Sequence, residues 1–215
     1  MPKSPFSLTC GYQVTSYPFI PRTPGNLSER DKVIIDMTNT FGATAFFQLQ
    51  QLWPNRHRNK TRNTAKSLAR CGLLALHRLE SPEYRMNVCT PGYFPGLDKV
   101  LRSLAFFQLY LRLREFNSNL SACLATHPLT GVVFMNDKEF PVVVVREGDQ
   151  LPLLPYQLQD FERLVIVAES FDPAFGRIPC ECRIALDEDL LNFSKPAGEI
   201  FFDAREVKVH ARGTT

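Results

Sequence analysis

Lys60-Thr61-Arg62-Asn63-Thr64-Ala65-Lys66-Ser67-Leu68-Ala69-Arg70-Cys71-Gly72 is the stretch on which the reading of this chain turns. Arg62, Lys66 and Arg70 recur at i, i+4 and i+8, so a helix carries them on one face and turns Thr61, Ala65 and Leu68 to the other. Asn63 and Ser67 flank the basic stripe, and Gly72 stands where a helix needs its stop. Beyond Gly72, Leu73 to Leu79 and Tyr84 to Thr90 are separated by Glu80-Ser81-Pro82-Glu83. In the second run Tyr84, Met86 and Val88 alternate with Arg85, Asn87 and Cys89, the period of a half-buried strand. The two runs read as a β-hairpin closed by Pro91-Gly92.

Two further helices are expected upstream. Ser28 followed by Glu29 and Asp31 forms an N-cap with acidic residues in the first turn, and Val33, Ile34 and Met37 continue with helical spacing, giving a helix over about 28–39. Phe41-Gly42 interrupts it. Thr44 is then expected to cap a second helix over about 44–53, in which Phe46, Phe47, Leu49, Leu52 and Trp53 form an apolar stripe ended by Pro54. Residues 1–27, with Pro2, Pro5, Pro18, Pro21, Pro24 and Gly25, read as an extended Pro-rich arm. Three helices followed by a two-stranded hairpin is the order of a winged helix-turn-helix, whose third helix enters the major groove of DNA.

Charge follows the same order. From Met37 to Leu79 there is no Asp or Glu, while Arg56, Arg58, Lys60, Arg62, Lys66, Arg70 and Arg78 fall within that span. A one-signed surface of this length points to a polyanionic partner, and the phosphates of duplex DNA are the commonest. Arginine can grip guanine bidentately, asparagine can read adenine, and lysine and serine can hold phosphates. Arg62, Asn63, Lys66, Ser67 and Arg70 are therefore the candidate readers. Arg56, Arg58 and Lys60 approach the helix start and would position the backbone, and Arg78 and Arg85 flank the wing. Glu80 and Glu83 occupy the expected wing tip, which disfavours a tip pressed against phosphates.

The rest of the chain has another texture. Residues 1–117 hold 16 Lys and Arg against 7 Asp and Glu, and residues 118–215 hold 9 against 15, so the halves carry +9 and −6. A long apolar helix is expected over about 97–116, a candidate for pairing across a two-fold axis or for burial against the C-terminal sheet. Strands are then expected over 122–126, 131–135, 140–146, 164–168, 183–186, 199–203 and 206–210. Short helices fall over 156–163 and 188–193, and Asn136-Asp137-Lys138-Glu139 marks a hairpin turn. The fold class read from this pattern is α+β. An arm (1–27) leads to a winged-helix DNA-binding domain (28–95), a connecting or dimerisation helix (96–117) and a mixed α/β domain (118–215).

Several classes are disfavoured. The interrupted N-terminus lacks the apolar core of a signal peptide and no apolar run is long enough to span a bilayer, so a cytoplasmic setting is expected. Six scattered cysteines in a chain of 215 residues fit a reducing compartment. Cys180-Glu181-Cys182 lacks zinc-knuckle spacing, and the four histidines stand apart, so no metal or cofactor is expected. A Mg²⁺-dependent nuclease needs strand-end carboxylates with a nearby lysine, whereas Glu147 and Asp149 lie past their strand with no lysine beside them.

Ala69-Arg70-Cys71-Gly72-Leu73-Leu74, the run Tyr84-Arg85-Met86-Asn87-Val88-Cys89-Thr90-Pro91-Gly92, and His127-Pro128 followed by two apolar strands resemble the replication-relaxation family of plasmids and mobile elements. The resemblance spans roughly residues 28–170 and implies a winged helix followed by an α/β domain akin to restriction-type nucleases. Where that domain carries an acid after the proline, this chain has Leu129, which implies an inactive version. The expected function is therefore sequence-specific binding of double-stranded DNA without catalysis, as a transcriptional regulator or replication accessory. A Mg²⁺-dependent nickase and a protein-interaction module built on a degenerate winged helix are the alternatives. A replication or conjugation protein is the expected partner of the acidic second domain, which could instead fold back on the basic one as a cover.

Overall fold

The structure is a computed structural model that describes residues 4–18, 25–53 and 58–203. The described residues form a mixed α+β protein with six α-helices and two sheets. The chain divides into two units, Leu8–Phe107 and a second built from Met1–Ser7 with Gln108–Thr215. The division falls inside the long helix rather than at either end of it, in contrast to the boundaries expected from sequence.

The first unit runs β1 (Gln13–Ser16), α1 (Glu29–Phe41), β2 (Thr44–Ala45), α2 (Phe46–Leu49), α3 (Arg58–Arg70), β3 (Ala75–Glu80), β4 (Arg85–Thr90) and the start of α4 (Leu97–Arg114). Its sheet has the order β1-β3-β4-β2, with every neighbouring pair antiparallel. Helix α1 opens on a capping box: the Ser28 hydroxyl accepts the Asp31 N–H, and the Asp31 carboxylate accepts the Ser28 N–H at 2.7 Å. Gly42, at φ +75°, closes the same helix in the left-handed conformation that glycine tolerates best. The helix buries Ile34, Thr38 and Phe41, and the Phe41 ring lies 5.1 and 4.8 Å from those of Phe106 and Phe107 on α4.

Thr44 does not cap the second helix. The backbone of Thr44 and Ala45 pairs with Cys89 and Val88 instead, and the buried Thr44 hydroxyl meets that of Thr38 at 2.8 Å. Gln48 supplies the missing cap: its side-chain oxygen accepts the Ala45 N–H at 3.1 Å while its amide donates to the Leu104 carbonyl at 2.7 Å. The expected ten-residue helix is shortened to four residues followed by a tighter turn, Gln50–Leu52, because its first turn is spent on the strand. The Pro-rich arm, expected to be extended, contributes a strand. Gln13–Ser16 lies along the outer edge of β3, and the Tyr17 N–H continues the ladder to the Leu76 carbonyl at 2.9 Å.

The second unit carries β5 (Leu120–Leu124), β6 (Gly131–Met135), β7 (Lys138–Val145), α5 (Leu154–Gln157), β8 (Arg163–Ala168), β9 (Glu181–Leu186), α6 (Asp187–Leu191) and β10 (Phe201–Asp203). The sheet order is β10-β9-β8-β7-β6-β5, with β7, β8 and β9 mutually parallel and the outer pairs antiparallel. Asn136 and Asp137, at φ 52° and 58°, make the tight turn between β6 and β7. Val143, Val145, Leu164, Ile166, Cys182 and Ile184 from the three parallel strands form the centre of its core. The helix expected over 156–163 is a single turn at Leu154–Gln157, and the strand expected over 206–210 lies outside the described residues.

Every residue of α4 from Leu104 to Leu113 is buried within the chain. Its broad apolar circumference is thereby accounted for without a second copy, and the apolar pattern gives no support to dimerisation through 97–116. Among the described residues no helix is long and apolar enough to cross a membrane.

Candidate nucleic-acid interface

Helix α3 packs as its spacing requires: Thr61, Ala65 and Leu68 are buried, whereas Arg62, Asn63, Ser67 and Arg70 are exposed and Lys66 is half-buried. Thr61 is held from the side by Arg30, whose guanidinium donates to its hydroxyl at 3.3 Å and lies 4.1 Å from the centre of the Trp53 ring. Gly72 at φ +69° ends the helix and lets the chain turn directly into β3.

The pleat of the hairpin decides the other wall. Alternate residues of a strand share a face, and the register pairs Leu76 with Cys89, Arg78 with Asn87 and Glu80 with Arg85. The opposite face holds His77, Leu79, Met86 and Val88, all buried. The polar face of the sheet and the basic face of α3 therefore converge on one groove of about 1050 Å³. Arg62, Lys66 and Arg70 line it from α3, Arg78, Arg85 and Asn87 from the hairpin, and Gln50, Phe46 and Phe47 from α2 and the turn after it. Tyr17 and Pro18 close one end. Among the described residues the lining has five cationic side chains and no carboxylate.

Glu80 modifies this field from just outside. Its carboxylate oxygen lies 2.6 Å from the Arg78 guanidinium and 3.0 Å from that of Arg85, so one acid partly neutralises two of the five cations. Glu80 thus closes β3 opposite Arg85 rather than standing at the tip, and only Glu83 is an exposed acid in the turn itself.

No family model, curated protein or solved structure matches this chain.

Of the ten residues singled out by sequence, five line the groove, namely Arg62, Lys66, Arg70, Arg78 and Arg85. Lys60, Asn63 and Ser67 are exposed on α3 but outside that lining. Arg56 and the side chain of Arg58 lie outside what is described. Sequence reading missed Tyr17, Gln50 and Asn87. Asn87 was legible in principle, two residues from Arg85 on an alternating strand, but Tyr17 joins the site only because β1 adds to the hairpin edge.

The second unit gathers charge at the carboxyl ends of its three parallel strands. Arg146 follows β7, Glu169 follows β8 and Asp187 follows β9. The buried Arg146 guanidinium contacts both carboxylate oxygens of the buried Asp187, at 3.2 and 3.3 Å, and the Ser4 hydroxyl donates to one of them at 2.5 Å. Burial pushes the Asp187 carboxyl up, and Arg146 and Ser4 pull it back down in part. Asp149, one of the two acids considered for a nuclease, accepts the Arg146 N–H at 2.8 Å and so shapes the turn after β7. Glu147 is exposed. Among the described residues no three His, Cys, Asp or Glu side chains gather to hold a metal ion. Cys180 and Cys182 are buried thiols that form no disulfide, their sulfurs 3.6 Å apart.

Proposed function

We propose that the Leu8–Phe107 unit is a winged helix-turn-helix that binds double-stranded DNA in a sequence-specific way, with α3 in the major groove and β3–β4 as the wing. The observation that carries this reading is the convergence of five cations, from α3 and the hairpin, on one groove with no carboxylate among the described residues of its lining. The element order supports it too: a helix, a two-residue strand, two helices and a hairpin whose second strand pairs with the short one. The exposed Arg62 and Arg70 have the reach and planar donors to read base edges, while Lys66, Arg78 and Arg85 suit phosphates.

The resemblance to replication-relaxation proteins adds a setting to this proposal, a regulator or replication accessory of a plasmid or other mobile element. The acidic C-terminal part of the chain would then meet a replication or conjugation protein. A gel-shift titration tests the DNA reading, comparing the wild type with the triple variant Arg62→Ala/Lys66→Ala/Arg70→Ala over a salt series. The expected result is tight, salt-dependent binding by the wild type and a flatter salt dependence for the variant, by about one unit of log–log slope per lost phosphate contact. Equal, salt-insensitive binding by both proteins, or no binding by either, overturns the proposal.

A further inference from the structure

The groove has a floor as well as a rim. Between its cations the lining turns apolar: Phe47 is half-buried there, beside the edges of the buried Phe46, Leu74 and Leu76. At one end the Tyr17 ring is 42% exposed although its main chain is fixed, its N–H bonded to the Leu76 carbonyl. A duplex presents phosphates and polar base edges to a protein and leaves such a floor unmatched, because its base faces are stacked on one another. An unpaired strand presents both parts the groove requires, anionic phosphates for the rim and π-faces for the rings. The volume, about 1050 Å³, sits at the upper limit of the roughly 300–1,000 Å³ of small-molecule pockets, which favours a segment of polymer over a lone metabolite.

We infer that this groove holds unpaired nucleotides, so that the protein prefers a duplex bearing a single-stranded extension to a blunt one. The inference rests on the DNA-binding reading above and specifies which form of nucleic acid the site takes. Phosphates of the unpaired strand pass along Lys66, Arg78 and Arg85, and a base stacks on Tyr17.

Fluorescence anisotropy with the full chain tests it, using four labelled probes: a blunt 20-base-pair duplex, the same duplex with an eight-nucleotide dT tail, and the single strands dT12 and rU12. The tailed duplex is expected to bind about tenfold more tightly than the blunt one. Tyr17→Ala should abolish that preference, while Tyr17→Phe, which keeps the ring, should retain it. The two single strands report whether the unpaired segment is read as DNA, as RNA or as either. Equal binding of blunt and tailed duplexes overturns this inference and leaves the DNA-binding proposal standing. A tail preference that survives Tyr17→Ala overturns the assignment to this groove. Binding of no probe, or binding indifferent to Arg62→Ala/Lys66→Ala/Arg70→Ala, removes both.

Discussion

Glu80 holds the Arg78 guanidinium at 2.6 Å through the same carboxylate oxygen that reaches Arg85 across the hairpin. The pairs are partly exposed, so they contribute little to folding, about 0–1 kcal/mol each. Their larger effect is on the charge of the groove. Glu80→Gln is expected to leave the unfolding midpoint nearly unchanged while tightening DNA binding and steepening its log–log salt slope by about one to two units. Anisotropy titrations at several salt concentrations measure it, and an unchanged slope would show that neither arginine meets phosphate.

Gln48 should matter to folding well beyond its size. Fully buried, it caps α2 at Ala45 and ties it to the Leu104 carbonyl. Gln48→Ala strands the buried Ala45 N–H and removes the tie to α4, whose Leu104 carbonyl keeps its place in the helix ladder, for an expected loss of about 1–3 kcal/mol in urea unfolding.

His77 makes the first unit sensitive to acid. Its ring is buried between the Ser16 hydroxyl at 2.8 Å and the Thr90 hydroxyl at 2.9 Å, against Phe94, and none of these carries charge. Burial holds its pKa below the ordinary 6.5. The unfolded chain therefore takes up the proton first, so the stability is complete above 6.5 and declines as the pH falls below it, by at most about 1.4 kcal/mol per pH unit. Denaturation midpoints between pH 5 and 8 should show this decline in the wild type and a flatter profile in His77→Phe.

Arg112 should behave as a clamp in the second unit. Fully buried on α4, it donates to the carbonyls of Asn192, at 3.1 Å, and Lys195, and its guanidinium lies 5.4 Å from the centre of the Phe193 ring. Arg112→Ala is expected to cost about 3–5 kcal/mol by removing the donor from the Lys195 carbonyl and opening a cavity, the Asn192 carbonyl keeping the Lys195 N–H at 3.1 Å. Arg112→Lys should recover little of it, since an ammonium cannot reproduce the forked geometry, and thermal unfolding of the two variants compares them.

Where periodicity spoke, sequence and structure agree. The i, i+4, i+8 spacing placed Arg62, Lys66 and Arg70 on the open face of α3 because Thr61, Ala65 and Leu68 needed the other, and burial of an amphipathic helix leaves little choice. Alternation from Tyr84 to Val88 likewise gave β4, and Ser28 with Asp31 gave the start of α1. Local rules failed where the partner was remote in sequence. Thr44 has the chemistry of a cap, but its backbone pairs with Cys89, and a two-residue strand is too short to carry a period. Gln13–Ser16 has all four residues exposed, so no alternation could announce a strand that exists only because β3 offers it an edge. The same blindness hid the groove, since α3 and the hairpin each showed their cations but not that they face one another.

That outermost strand has a consequence for how the protein can be handled. With Gln13–Ser16 in place, the main-chain donors and acceptors of β3 are occupied on both sides, and the exposed rim belongs to a short run of small and polar residues. Trimming the first sixteen residues would uncover β3 as an open template for any passing extended chain. Such a truncation should therefore cost the protein its solubility, through sheet-to-sheet self-association, sooner than it costs the helices their order.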